Sequence, residues 1–303
     1  MNKATSEASM SYFIYELYSG VPSNQYVAAY KSITSYVLLV ALTDAPQSSS
    51  PTQKELEAYL INLKTTSWGW LNDTATQVKA LPSYMLALLP LMETSLTSLK
   101  TLKSNTENPT AKAEIIQIAQ LLLHETCPLH LSIQSLRSKL SALSITLMST
   151  SDNLQHCMTQ LQADVRNLQG ELAKSSALCH AAECSASPDQ NKIQQLQRDI
   201  AQLQNDIGVA NDWELILVRV KQNMVDAEMS AQYLDTSWQG FLDEVGHVVA
   251  ILQLIQKNPV VLKEIPLKNA NQSLQAVENY MSNIAKDIDQ PSNRENDIEM
   301  QRQ

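Results

Sequence analysis

Glycine is scarce in this chain, at 6 residues of 303. Hairpin turns, barrel corners and phosphate-cradling loops all draw on it, because glycine alone accepts left-handed torsions and close backbone approach without strain. Aromatic residues are also few, at 5 %, which weakens a strand-rich reading. No stretch reaches the roughly 18 consecutive apolar residues of a membrane-spanning helix. The richest segments, Ala80 to Met92 and Val245 to Ile255, are short and broken by Pro, Ser, His or Gln. Charged residues make up 17 %, below the roughly 25 % usual for soluble domains. The balance is acidic, with a net charge of −9 and a pI near 5.1. No basic stripe interrupts it, so a nucleic-acid partner is not expected. Met1 to Met10 lacks the basic start and apolar stretch of a secretory signal, so export by the general pathway is not expected either.

What remains is Leu, Gln, Ala, Ser, Asn and Lys, a helix-forming mixture with 44 % hydrophobic residues to supply a core. An all-α fold is therefore expected. A first helical region covers about Tyr12 to Leu42, with a break near Gly20, Val21 and Pro22, since proline disfavours helix in the residue before it. Asp44 to Pro51 is loop by composition. Thr52, with Glu55 three residues on, predicts a capped helix that runs to about Ala80. Pro90 inside Pro82 to Lys103 predicts a kink or restart. After a loop at Asn105 to Pro109, a helix from about Thr110 carries Ile115, Ile118, Ala119, Leu122 and Leu123 on one face until Pro128 interrupts or bends it.

From Leu131 the period tightens. Leu136, Leu140, Leu143, Leu147, Leu154, Leu161, Val165, Leu168 and Leu172 follow one another at steps of three, four or seven, a heptad seam. Ser185 to Asp189 breaks it. A second seam then begins with Ile193, Leu196, Ile200, Leu203 and Ile207, and resumes at Met224, Ala227, Ala231, Leu234, Trp238, Phe241, Val245, Val248, Leu252 and Ile255. Two long helices joined by a short connection are antiparallel neighbours. At 1.5 Å per residue the first arm is roughly 70 Å long and the second roughly 100 Å, so an elongated bundle is expected: a narrow neck and small head on a thicker tail. The expected segments are tail helices over 1–130, the long hairpin over 131–257 with its tip at 179–188, a C-terminal tail helix over 258–290, and a disordered tail over 291–303.

Four cysteines and five histidines raise the question of metal or thiol chemistry. Cys179, His180 and Cys184 cluster at the tip, but a structural zinc site needs about four convergent ligands, so no metal or other cofactor is expected. Two readings of the tip thiols stand side by side: a Cys179–Cys184 disulfide, geometrically accessible if the helix ends there, or two reduced residues filling a narrow head. Cys127 and Cys157 read as core. His156 and Cys157 point about 100° apart around a helix, so they form no nucleophile–base pair, and no catalytic motif is present. Trp68, Trp70, Trp213 and Trp238 read as core anchors.

Two very long helices meeting at a tip, with a returning helix that reads Met229-Ser230-Ala231-Gln232-Tyr233-Leu234-Asp235-Thr236-Ser237-Trp238-Gln239-Gly240-Phe241-Leu242, resemble the α-helical pore-forming toxins of the cytolysin A type. That group includes haemolysin BL, the non-haemolytic enterotoxin and the Xax/Yax toxins. The resemblance implies a component of a multi-subunit toxin: a monomer in its soluble form, secreted without a classical signal, oligomerising with partner subunits at target membrane lipid, and no enzyme. The tip residues Leu178, Cys179, Ala181, Ala182 and Cys184 are then the expected membrane or partner contact. The segment Ser175 to Ser185 is too short and too mildly apolar to span a bilayer, so a partner is needed to breach it. A scaffolding coiled coil, located in the cytoplasm, and a ligand-binding bundle with a pocket near Trp68 and Trp213 are the alternatives.

Overall fold

A computed structural model describes residues 23–47, 50–185, 187–265, 267 and 270–290. Among these residues the chain is helical throughout, with no strand. Helix α1 spans Ser23–Leu42. Helix α2 (Pro51–Gly69) passes through a π turn (Trp70–Thr74) into α3 (Ala75–Leu102) and a 3-10 turn (Lys103–Asn105). The two long helices are α4 (Pro109–Glu183) and α5 (Gln190–Lys257), followed by a 3-10 turn (Pro259–Lys263) and α6 (Ala270–Ile288). The break expected near Gly20 and the tail beyond residue 290 lie outside the described residues.

Helix starts are set by local chemistry. At α2 the cap is Ser50 rather than Thr52: the Gln53 amide N–H donates to Ser50 Oγ at 3.2 Å while the Ser50 N–H donates to Gln53 Oε1 at 3.2 Å. This reciprocal box places Pro51 at the first helical position, where its missing N–H costs nothing. At α4 the cap is one-sided: Asn108 Oδ1 accepts from the Thr110 N–H at 2.9 Å, with Pro109 between them.

The prolines expected to kink, bend or interrupt helices lie within continuous ones. Pro82 and Pro90 lie inside α3, and Pro128 lies inside α4. Each costs about 3 kcal/mol in an isolated helix. Around the first two, Leu81, Met85, Leu88, Leu89, Leu96 and Leu99 are buried, and a buried leucine or methionine contributes about 1.5–3 kcal/mol. Packing therefore outweighs propensity. One result is that α4 begins at Pro109 instead of near Leu131, and at 75 residues it is longer than the 68-residue α5. The expectation that the second arm outruns the first is thus reversed.

The chain divides into two compact units, each made of more than one stretch of sequence. The first comprises Met1–Ser35, Trp70–Ser144 and Met229–Gln303. In it α3 packs against α6, which buries Leu274, Val277, Tyr280, Met281, Ile284 and Ile288. Its aromatic centre is Trp238, edge-on to Tyr26 at 5.8 Å and 5.1 Å from Phe241, which in turn lies 6.2 Å from Tyr280. Tyr26 Oη donates to the Val78 carbonyl at 3.4 Å, and burial pushes its phenol well above the ordinary value.

The second unit comprises Tyr36–Gly69 and Ile145–Glu228. Here α4 and α5 run antiparallel: Gln162 donates to Glu214 at 2.9 Å while Lys221 donates to Gln155, so numbers rise along one helix as they fall along the other. In this unit Leu56, Leu60 and Leu63 of α2, Leu147, Leu154 and Leu161 of α4, and Trp213, Leu217 and Met224 of α5 are all buried. Towards the tip, Val165, Leu168, Leu172, Leu196, Ile200, Leu203 and Ile207 are only half-buried, as a seam between just two helices must be.

Candidate functional site

The hairpin tip is built from both long helices. Helix α4 runs to Glu183 and closes with the Cys184 N–H on the His180 carbonyl at 3.0 Å and the Ser185 N–H on the Ala182 carbonyl at 3.4 Å. After Pro188, Asp189 caps α5: its Oδ1 accepts from the Asn191 N–H at 3.0 Å and the Lys192 N–H at 3.2 Å. A side-chain oxygen on the first free amides is the usual way such a start is stabilised. Cys179 and Ile193, each 6 % exposed, are the last buried residues on the two arms among the described residues.

The structure divides the predicted contact residues. Leu178 is 58 % exposed. Ala181 and Cys184 are exposed and Ala182 is half-buried. Cys179 faces inward, its thiol donating to Glu183 Oε1 at 3.6 Å, and Glu183 also accepts from Gln197 on α5 at 3.3 Å. Burial, and then the Glu183 carboxylate, push the Cys179 thiol above its ordinary pKa. It is therefore a packing group on the inner side of the tip.

The disulfide reading of the tip is corrected. Cys179 and Cys184 are free, as are Cys127 and Cys157. Because the helix continues to Glu183, residues five apart lie about 140° apart around its axis. The two thiols consequently have different neighbours, and Cys184 Sγ sits 3.7 Å from His180 Nδ1. No group of three or more His, Cys, Asp or Glu side chains that could hold a metal occurs among the described residues. No described helix is long and apolar enough to cross a membrane.

Of the four tryptophans, Trp70, Trp213 and Trp238 are core, as expected, whereas Trp68 is 49 % exposed on α2. Cys157 is buried but Cys127 only half-buried. Trp213, considered with Trp68 as the lining of a ligand pocket, is fully buried. A groove does occur in the first unit, between α3 and α4, lined by Gln77, Ala80, Leu81, Tyr84, Leu131, Ser132 and Ser135.

Comparison with known proteins turns on this architecture. No family model matches the sequence, and no curated protein matches it. Solved structures do. XaxA from Xenorhabdus nematophila superposes with a TM-score of 0.59 at 9 % identity, covering 87 % of this chain and 96 % of that one. The SmhB pore of the tripartite α-pore-forming toxin Smh from Serratia marcescens gives 0.55 at 11 % identity, covering 87 % and 97 %. The AhlB pore of the tripartite toxin AHL from Aeromonas hydrophila gives 0.52 at 12 % identity, covering 91 % and 96 %. The chain has the α-pore-forming-toxin fold. Coverage of 87 % of this chain and 96–97 % of the other means that the match extends well beyond one generic helix pair.

One feature of this toxin fold was missed in the sequence. The seam of α5 is unbroken between Ile207 and Met224, with Ala210, Trp213, Leu217 and Val220 all buried. Beside it Leu215 and Val218, which a single-seam reading leaves unassigned, are exposed. The signal was available as a second three-and-four spacing on the opposite face.

Proposed function

We propose that this chain is a soluble component of a multi-subunit α-helical pore-forming toxin, acting by association and conformational change rather than by catalysis. The observation that carries the reading is the near full-length fold match to components named as parts of tripartite pore-forming toxins. The absence, among the described helices, of one apolar enough to cross a bilayer supports dependence on partner subunits. In this reading the chain acts outside the producing cell, and Leu178, Ala181, Ala182 and Cys184 make the first contact with target lipid or with a partner already bound there. Cys179 holds the tip together from inside. A bundle whose helices re-pack between two arrangements needs those arrangements to differ by only a few kcal/mol. The half-buried seam from Val165 to Leu172 and from Leu196 to Ile207 is suited to such exchange.

The test is dye release from lipid vesicles, with the purified chain alone and with the proteins encoded beside it. Release that needs both the chain and a partner, and that falls when Leu178 is replaced by Asp, is the expected result. No binding and no release in any combination would overturn the proposal and favour a scaffold.

A further inference from the structure

His180 and Cys184 stand one helical turn apart at the tip, and both are exposed. Of the four thiols Cys184 is the exposed one, since Cys157 and Cys179 are buried and Cys127 is half-buried. Its Sγ lies 3.7 Å from His180 Nδ1. The backbone fixes the pairing, because the Cys184 N–H donates to the His180 carbonyl at 3.0 Å. Residues four apart on a helix differ by about 40° around its axis, so the two side chains share a face. Among the described residues neither side chain makes another hydrogen bond or ion pair.

The separation of the two donor atoms matches the bite of a metal ion. Zinc binds thiolate sulfur at about 2.3 Å and imidazole nitrogen at about 2.0–2.1 Å, which at a tetrahedral angle sets sulfur and nitrogen about 3.6 Å apart. An ion of that size bridges Sγ and Nδ1 with little movement of either side chain. The neighbours along the same face, Ser176, Ala177 and Ala181, are small and leave room for the rest of its coordination. Cys179 has the same spacing to Glu183, at 3.6 Å, but its thiol is buried and meets a carboxylate that also accepts from Gln197. Because no group of three or more ligands occurs among the described residues, the site is an open chelate and not a closed structural centre.

We propose that His180 and Cys184 chelate a thiophilic divalent ion of the zinc and cadmium class at the hairpin tip, through Nδ1 and Sγ, with water in the remaining positions. The ion takes the place of the thiol proton, one proton leaving per ion bound, so binding strengthens as pH rises. Magnesium and calcium select oxygen donors and do not compete. The chelate clamps the last turn of α4, which ends at Glu183. It revises the expectation that the tip holds no metal, and it does not depend on the toxin reading.

The test is titration of the full chain with cadmium, in a weakly coordinating buffer with a phosphine reductant, read by the ultraviolet thiolate-to-cadmium charge-transfer band. One ion per chain is expected, displaced by zinc and not by magnesium. Cys184→Ser should remove the band, and His180→Ala should weaken binding by at least about tenfold. Both substitutions are at exposed positions, and the far-UV spectrum should not change. Cys127→Ser should leave the titration as it is. No saturable band, or a band that survives Cys184→Ser, would overturn the site. A band lost in Cys184→Ser but indifferent to His180→Ala assigns the ion to the thiol alone and also overturns the chelate. No membrane or partner protein is used, so failure here is distinct from failure of the dye-release assay.

Discussion

Two glycines six residues apart on α5 should respond in opposite ways to the same substitution. Gly240 and Gly246 both lie within one helix and one compact unit. Glycine in a helix interior is about 1 kcal/mol less favourable than alanine. A Cβ built on Gly240 meets nothing within 4 Å, so Gly240→Ala should gain most of that amount. A Cβ on Gly246 would stand 3.1 Å from His130 Nε2 and 3.6 Å from its Cδ2, so the imidazole of α4 must retreat. Holding a half-buried ring away from its preferred rotamer costs about 0.5–1.5 kcal/mol, which cancels or reverses the gain. The variants should therefore differ by about 1 kcal/mol in urea unfolding followed by far-UV circular dichroism. Because both lie in the same unit, the form of the transition affects them alike. Pairing Gly246→Ala with His130→Ala should recover the missing stabilisation, a coupling that a double-mutant cycle reads directly. Equal stabilisation by Gly240→Ala and Gly246→Ala with His130 intact would show that α4 and α5 do not approach so closely at this level.

Other expectations follow from the same packing. Trp238→Ala, at a fully buried ring touching Tyr26 and Phe241, should cost about 3–5 kcal/mol, while Trp68→Ala, at a half-exposed ring, should cost much less in the same melt. Ser50→Ala removes one half of the reciprocal cap on α2 and should cost about 1 kcal/mol. Thiol titration with a chromogenic disulfide should modify Cys184 fast and Cys127 more slowly, with Cys157 and Cys179 reacting only on unfolding. Mild oxidation should leave Cys179 and Cys184 unbridged within one chain. The hydrogen bond and charge of Asp289, 2.8 Å away, raise the pKa of Lys79 above its usual 10.5. The pair's small contribution is therefore complete below the unfolded lysine pKa and disappears as pH rises through the folded value. Asp289→Asn should remove that alkaline dependence, and salt should weaken it.

Much of the architecture was legible because heptads are long-range and redundant. Leu136 to Leu161 and Met224 to Ile255 mark a buried face whatever happens at any single position, and the seam residues there are buried. The helix ends were harder. Pro82, Pro90 and Pro128 are strong local signals, and the packing around Leu81 to Leu99 that overrides the first two involves α6, whose place beside α3 no local pattern announces. At the tip the position of the turn was correct, but its thiol chemistry depended on one detail, whether the helix stops before or after Cys184. A stop at Cys179 would have let the two sulfurs meet. The outer stripe of α5 was hidden for a different reason. Once Trp213 and Leu217 are assigned to a core, Leu215 and Val218 read as scattered surface residues.

The π turn at Trp70–Thr74 carries a lesson about insertions and deletions. Before it, Leu56, Leu60, Leu63, Ser67 and Trp70 are buried at steps of four, three, four and three, and after it come Thr74 and Val78 at four and four, then Leu81, Met85 and Leu88. A strict heptad would have buried Gln77 instead of Val78. The wide turn thus absorbs one supernumerary residue and resets the phase of the sequence against the helix. Deleting a residue here would give a more regular helix locally, yet it would swing every later side chain by about 100° and take Val78, Leu81 and Met85 out of the core. Helix lengths in this chain are therefore constrained by arithmetic: a residue can be gained or lost only where a wide turn, or a compensating change elsewhere, restores the count.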